Sequence, residues 1–188
     1  MTIVCLSAMA DKLELIGVSV KGTFPIKDYM NAKIKSVSTY INGSFKTYKV
    51  GLPDGFQQIK NFEGGRGYWI VLKDDAKSVN FEFTGDEISL NDINVSVDQT
   101  LNLVSFPAIG KNFEQIQNYF SELGLKIISI STYLNGSFKT YKYGLPEGFQ
   151  QIKEIESNKG YWIASQSESV DITPPLPPDF NGTKPSNQ

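Results

Sequence analysis

Side chains that could carry acid–base or metal chemistry are few and scattered in this chain of 188 residues. Two acidic positions, Asp54 and Glu63, recur in a repeated stretch as Glu147 and Glu156, so each copy supplies single acids in or beside turns. Histidine is absent, which removes Ser-His-Asp and Cys-His catalysis and nearly all zinc sites. Because no complete set of acid, base and nucleophile is visible, the sequence predicts a non-enzymatic protein without cofactor or metal.

Two further motifs have an ordinary structural explanation. Asp86, Glu87 and Asp92 form the densest acidic group, but they lack the spacing and the glycine of an EF-hand. We expect a solvated linker there, with a calcium-stiffened linker as the alternative. The glycine-rich run 64–67 precedes a strand and lacks the Lys-Ser/Thr of a phosphate loop, so it is expected to be a turn.

Aromatic rings and amides are the remaining candidates for a binding site, because they recur at the same positions of both copies. Ring faces accept the C–H groups of sugars, and glutamine amides bond sugar hydroxyls. The candidate ligand-binding residues are Tyr40, Phe45, Tyr48, Gln57, Gln58, Trp69, Tyr133, Phe138, Tyr141, Gln150, Gln151 and Trp162. The competing interpretation is that most of these rings form the core, since a small module must bury large side chains.

Polar residues of the repeated stretch are also identical in the two copies, among them Lys46, Lys49 and Lys60. Recent duplication explains this identity without any function. Alternatively, both copies present the same face to one partner, such as a glycan or cell-surface polymer, which a linked pair binds more tightly than a single copy.

The composition argues against two classes of partner. The net charge is −2 and the pI is near 5.2, so the basic excess of a nucleic-acid binder is missing. The run 66–73 resembles the start of an RNA-recognition octet, but Trp69 stands where Gly or Ala is required. No apolar run reaches the roughly 18 residues of a membrane helix, so no membrane insertion is expected.

The N-terminal run 1–12 lacks a basic region and is predicted to be a first strand rather than a secretory signal. The single cysteine, Cys5, cannot build a disulfide framework, and residues 2–4 do not form a lipobox. We expect Cys5 to be a small buried hydrophobe.

The chain contains a long internal repeat. Residues 37–73 match residues 130–166 with 25 identities in 37 positions, and "LELIGVSV" at Leu13 aligns more weakly with "LNLVSFPA" at Leu101. A period of about 90 residues exceeds that of solenoid repeats and suits a small domain. We therefore expect modules at 1–86 and 87–174, followed by a proline-rich linker or tail at 175–188.

Each module is predicted to be α+β and dominated by antiparallel sheet, with one short helix. Asn42-Gly43 and Asn135-Gly136 indicate two-residue type I′ turns, because both central residues need positive φ. Tyr40 would then pair with Phe45 across the hairpin, and the second copy would do the same. The sequences "SVNFEF" and "SVDIT" are expected to form a closing strand in each module.

Helices are predicted at equivalent places of the two modules. In the second, Asn112 and Gln115 fit a capping box, Gly124 ends the helix, and the apolar stripe is Phe113, Ile116, Phe120 and Leu123. The first helix is shorter, starts near Pro25 and carries Ile26, Tyr29 and Met30. In "GLPDGFQQI", Phe56 and Ile59 are expected to anchor a single helical turn on the core.

In chain order, a strand of the type "LNLVSFP", the hairpin "STY-NGSFKTY" and a later "GYWI" resemble a module appended to large bacterial extracellular proteins, often beside immunoglobulin-like or fibronectin-like repeats. The resemblance covers both copies, from about Leu13 to Ile70 and from Leu101 to Ile163. Such modules often carry "GWNL" at the first strand, where this chain has "KLEL" and "TLNL". The resemblance implies a cell-surface or extracellular location, a role in adhesion or as a structural spacer, and neighbouring domains in a longer chain. It supplies no catalytic residues.

Replacing a turn glycine tests the hairpin prediction. Gly43→Val should lower the free energy of unfolding by more than about 1 kcal/mol, because valine opposes the positive φ that a type I′ turn requires. Thermal unfolding measures the effect. A melting curve that coincides with that of the parent chain would argue against this turn.

Overall fold

The structure is a computed structural model that describes residues 2–7, 13–76, 79–96, 99–165 and 174–180, with the backbone alone for 2–7. Its strands are β1 (Thr2–Ser7), β2 (Leu13–Gly17), β3 (Thr23–Pro25), β4 (Ile34–Ile41), β5 (Ser44–Lys49), β6 (Asn61–Glu63), β7 (Gly67–Leu72), β8 (Asn80–Gly85), β9 (Leu101–Ser105), β10 (Ile127–Leu134), β11 (Ser137–Lys142) and β12 (Gly160–Ser165). The helices are α1 (Ile26–Tyr29) and α2 (Phe113–Glu122), with single 3-10 turns at Asp54–Phe56, Leu90–Asp92 and Glu147–Phe149. The expected α+β class is confirmed.

Each repeat forms one four-stranded antiparallel sheet with the same strand order. Sheet 1 runs β2-β7-β4-β5, and sheet 2 runs β9-β12-β10-β11. The turn prediction is confirmed, since φ is 51° at Asn42 and 75° at Gly43, with 49° and 78° at their counterparts. The register is also as expected, with Tyr40 opposite Phe45 and Tyr133 opposite Phe138. The duplicated sequence therefore builds the same hairpin twice.

Local signals place α2 correctly but overestimate its apolar stripe. The Asn112 side chain accepts a hydrogen bond from the Gln115 backbone N–H at 3.1 Å, and Gly124 follows the helix with φ of 81°. Leu123 is 48% exposed, contrary to the prediction, because the helix ends before it. Leu125, beyond the glycine, is buried instead and continues the core.

Two small ribbons lie outside the sheets and go beyond the sequence prediction. The N-terminal run does form a strand, β1, which pairs antiparallel with β8. The expected closing strand of the first module therefore joins the N-terminus and not sheet 1. β3 pairs with β6 in the second ribbon. The closing strand expected at 169–173 and the side chain of Cys5 lie outside the described residues.

The two sheets pack face to face, because their central strands are apolar on both sides. In β7, Tyr68 and Ile70 belong to the outer core of repeat 1, whereas Trp69 and Val71 lie in a core shared by both sheets. β12 has the same alternation in repeat 2. β7 lies over β12 and β9, and β2 lies over β10 and β12, so the outer strands β5 and β11 occupy opposite edges of the sandwich.

Reciprocal backbone contacts tie the repeats together. The Gly17 N–H donates to the Asn158 carbonyl at 2.8 Å, and Ser105, at the equivalent position, donates to the Gly65 carbonyl at 3.0 Å. Two isolated antiparallel β-bridges show the same reciprocity, since one joins Ile16 to Lys159 and the other joins Val104 to Arg66. Equivalent residues thus make equivalent contacts, so an approximate two-fold axis relates the repeats.

The proline-rich segment is not free where it is described. Pro174 and Pro177 are buried, and Leu176 and Phe180 pack against the core shared by the sheets. The Asp179 carboxylate forms a 3.0 Å ion pair with Lys49. Residues 174–180 therefore dock on repeat 1 rather than act as a spacer, because the prolines stiffen the segment and its two apolar side chains have a core to join. Residues 181–188 lie outside the description.

The glycine that opens each "GYWI" strand tests the contact between repeats. A Cβ on Gly160 would lie 2.7 Å from the Ile16 carbonyl oxygen, and one on Gly67 would lie 2.9 Å from that of Val104. Gly67→Ala and Gly160→Ala should each lower the free energy of unfolding by about 1–3 kcal/mol, because the sheets must move apart.

The matched control for these variants is Gly148→Ala, where a Cβ meets nothing within 4 Å and φ is not positive. Urea unfolding of the three variants measures the difference. Equal midpoints for Gly160→Ala and Gly148→Ala would contradict the close approach.

Candidate functional site

The predicted aromatic residues do not form one exposed face. Trp69 is fully buried and Trp162 is 1% exposed, both within the core between the sheets. The ring centroid of Trp69 lies 5.1 Å from that of Tyr133, and Trp162 lies 5.1 Å from Tyr40, each edge-to-face. Each tryptophan thus packs on the hairpin of the other repeat. Neither indole face is open to a ligand in this structure.

Phe45 and Phe138 complete the same two clusters. Phe45 lies 6.2 Å from Trp162, and Phe138 lies 6.1 Å from Trp69, with ring planes near perpendicular. Among the described residues, neither indole N–H has a hydrogen-bond partner. The edge-to-face ring pairs contribute favourable packing, which offsets part of the cost of leaving those donors unpaired. These six predicted ligand residues therefore hold the two repeats together.

Gln57 and Gln150 are also interior residues. The Gln57 carboxamide oxygen accepts from the Lys49 N–H at 2.9 Å, and its NH₂ donates to the carbonyls of Lys49 and Leu52. Gln150 makes the same three bonds with Lys142 and Leu145. Every site of the amide but one acceptor lone pair is used, so these glutamines are not available to bond a sugar without breaking the loop.

The next residues extend this pairing along the strand. The Gln58 side chain accepts from the Thr47 N–H at 3.0 Å, and its backbone N–H donates to the Thr47 carbonyl. Gln151 pairs with Thr140 in the same way. The loop therefore satisfies alternate backbone groups of β5 and β11, which are the exposed edges of the two sheets. An edge covered in this way cannot recruit a further strand.

Tyr48 and Tyr141, the last two predicted residues, differ in their surroundings. Tyr48 packs against the outer core of repeat 1. Tyr141 stacks on Phe113 of α2 with centroids 3.7 Å apart and planes 2° from parallel. It lines a shallow cleft of about 290 Å³ together with Lys111, Phe113, Leu145, Glu147 and Lys153. This cleft depends on α2, whose counterpart in repeat 1, α1, is only a single turn.

Asp92, in the densest acidic group of the sequence, caps the 3-10 turn Leu90–Asp92. Asp92 accepts hydrogen bonds from the backbone N–H and hydroxyl of Ser89, which lower the pKa of its carboxyl, as does the nearby Lys21 at 3.2 Å. Within residues 13–76, 79–96, 99–165 and 174–180, no group of three His, Cys, Asp or Glu side chains could hold a metal ion.

The tyrosine of each "GYWI" is structural. The Tyr68 hydroxyl accepts from the Glu63 N–H at 2.8 Å, and Tyr161 accepts from Glu156 at 2.9 Å. Burial raises the pKa of both phenols, which stay neutral. Each phenol fixes the turn that leads into its strand.

Sequence reasoning missed the most exposed aromatic residues. Phe56 and Phe149 are 74% and 75% exposed, although Phe56 was expected to anchor a turn on the core. The expectation fails because Gln57 makes that anchor through hydrogen bonds, which turns the preceding residue outward. All six residues of "GLPDGF" and of "GLPEGF" are exposed, and we call these two hexapeptides, 51–56 and 144–149, the tips. The available signal was the recurrence of Leu and Phe within a stretch rich in proline and glycine in both copies.

The buried glutamine is the test of this assignment. Gln57→Ala should lower the free energy of unfolding by about 1–2 kcal/mol, because three backbone groups at the strand edge lose their partner. Gln58→Ala is the control, since Gln58 is exposed and its side chain makes a single hydrogen bond, which it accepts from the Thr47 N–H. Urea unfolding compares the two, and equal losses would contradict the anchoring role of Gln57.

No protein-family model matches this chain, and neither a curated protein nor a solved structure is significantly similar to it. In the part of the chain that the structure covers, no helix has the length and apolar character needed to cross a bilayer.

Proposed function

We propose that the chain is a non-enzymatic pair of modules from a bacterial cell-surface or secreted protein, which acts in adhesion and holds two equivalent contact points apart. The observation that supports this is the duplicated tip. Most of the repeated signature has a structural role in the interior, whereas Phe56 and Phe149 contribute nothing to the core. Contact with a partner would account for an exposed ring at the same place in both copies.

The architecture suits this role. The tips belong to loops that cover β5 and β11, which lie at opposite edges of one sandwich. A sandwich fused through a buried core fixes the two contact points relative to each other. Rigid spacing lowers the entropic cost of binding a repetitive surface through both points.

A second candidate function, carbohydrate binding, is favoured by the cleft beside Tyr141. The cleft is lined by Tyr141 and by Lys111, Glu147 and Lys153, which together offer stacking and hydrogen-bonding groups. This cleft is a single site in repeat 2, so it predicts monovalent binding. Adhesion through the tips predicts bivalent binding.

Retention on a polymeric surface tests the adhesive role. The labelled full chain, free in solution so that each molecule presents only its own two tips, is passed over immobilised peptidoglycan, chitin and cellulose under flow. Phe56→Ser/Phe149→Ser should lower retention at least about tenfold, and each single variant should lose most of it because bivalency is lost. Leu123→Ser is the control, since Leu123 is an exposed apolar residue outside the tips.

Two outcomes contradict the proposal. Retention that is equal for the parent chain and the double variant excludes the tips as contact points. Binding of soluble oligosaccharides that is lost in Tyr141→Ala but unchanged in the double variant supports the carbohydrate cleft instead.

A further inference from the structure

The surface that joins the two repeats is self-complementary, and this has a consequence for other copies of the chain. Trp69 contacts the hairpin of repeat 2 at nearly the same distances at which Trp162 contacts the hairpin of repeat 1. The residues that make these contacts, Trp, Tyr and Phe, are identical in both repeats. Each repeat therefore carries a surface that fits the other repeat of any copy.

One position on this surface breaks the symmetry. Gly17 and Ser105 are equivalent, as the strand register shows: Gly17 pairs with Gly67, and Ser105 pairs with Gly160. They meet across the approximate two-fold axis, since a Cβ added to Gly17 would overlap the Ser105 hydroxyl oxygen and the Lys159 carbonyl oxygen. The space around the axis is therefore filled by one serine side chain and one glycine.

This pair selects which repeats associate. Two copies of repeat 2 would place two serine side chains where one fits, which costs overpacking. Two copies of repeat 1 would place two glycines there and leave a gap in the interface. Repeat 1 with repeat 2 is the combination that fills the space. Ser105 is fully buried, and its hydroxyl has no hydrogen-bond partner among the described residues. Replacing it with glycine therefore changes the packing at the axis without breaking a hydrogen bond seen in that part of the chain.

We infer that two copies of this chain can form a closed, domain-swapped dimer in which repeat 1 of each copy packs on repeat 2 of the other. Ile88, Leu90 and Ile93, which follow β8, are buried in the core of repeat 2, so in the exchanged dimer they pack on repeat 2 of the other copy. The other contacts between the repeats are likewise re-formed between chains. Only residues 94–100 need to open, and a segment of that length reaches at most roughly 25 Å when extended. The inference does not depend on the proposed function, because it rests on the reciprocal surface alone.

Concentration decides between the two forms. Within one chain the repeats meet at an effective concentration of about millimolar, so the closed monomer prevails in dilute solution. The exchanged dimer is expected when chains refold together at high concentration, or when many copies are crowded on one surface. Such exchange would link neighbouring chains without a new interface.

Complementing variants of the full chain test the inference. Chain X carries Gly17→Ser and so has two serines at the axis. Chain Y carries Ser105→Gly and so has two glycines. In an X–Y heterodimer, the serine introduced into X would meet the glycine introduced into Y, and the unaltered Gly17 of Y would meet the unaltered Ser105 of X. Each axis then regains one serine and one glycine, and the overlap between the two serine side chains is removed. The Cβ introduced at position 17 still meets the Lys159 carbonyl oxygen of Y, so the rescue is partial.

X and Y are labelled with donor and acceptor fluorophores, unfolded together in urea and refolded at about 1 mM, the effective concentration that exchange must match. We expect an X–Y species of twice the chain mass by light scattering, with energy transfer between labels. We also expect it to melt at least about 5 °C above X refolded alone. Parent chains mixed in the same way provide the control for exchange without complementation.

Three outcomes overturn the inference. Stability of X alone that equals that of the parent chain would show that two serines fit at the axis. An X–Y mixture that gives no more heterodimer than the parent mixture would show that the pair does not select partners. If X fails to fold alone, co-refolding with Y must rescue it, and continued precipitation of X in the mixture excludes exchange.

Discussion

Both sheets are apolar on their two faces, and the rest of the structure follows from that constraint. A strand such as Gly67–Leu72, buried along its whole length, cannot lie at a water-exposed face. Each sheet covers one face with its own helix or ribbon, and only the other sheet is available for the second face. Burying one tryptophan removes roughly 200 Å² from water, or about 5 kcal/mol of transfer free energy as an upper bound. Two tryptophans placed symmetrically therefore make the union of the repeats favourable.

Close approach of the backbones makes this union specific. Gly67 lies against β9, and Gly160 lies against β2. At both glycines a Cβ would be within 3 Å of a carbonyl oxygen of that strand. The tight contact allows reciprocal N–H···O bonds between the repeats, which fix the register of one sheet on the other. The "GYWI" motif thus combines a glycine for approach, a tyrosine for its own turn and a tryptophan for the opposite repeat.

A second set of repeated residues handles the free edges that this sandwich creates. β5 and β11 are edge strands, and the "QQ" dipeptides bond their outward backbone groups. Identity of the glutamines in the two copies is thereby explained by structure, as is that of the glycines and tryptophans. Exposed Phe56 and Phe149 are not explained in this way, and the functional proposal rests on that difference.

The sequence by itself determined everything that depends on local backbone geometry. Asn-Gly requires two positive φ angles, so both hairpins, their register and their duplication could be predicted, as could the cap of α2 at Asn112. It also determined that the strands are apolar. It did not determine which neighbour each apolar face meets, because an alternating pattern marks a face as buried without naming its partner.

Tertiary structure decided the rest. It assigned the tryptophans to the opposite repeat, the closing strand Asn80–Gly85 to the N-terminus, and the proline segment to the core. It also reversed the roles of two neighbours, since Gln57 is inside and Phe56 is outside. Hydrophobicity alone predicts the opposite order. Three hydrogen bonds between the Gln57 carboxamide and the backbone of Lys49 and Leu52 favour the observed order. The positions of these backbone groups are set only once the hairpin and the loop have folded together.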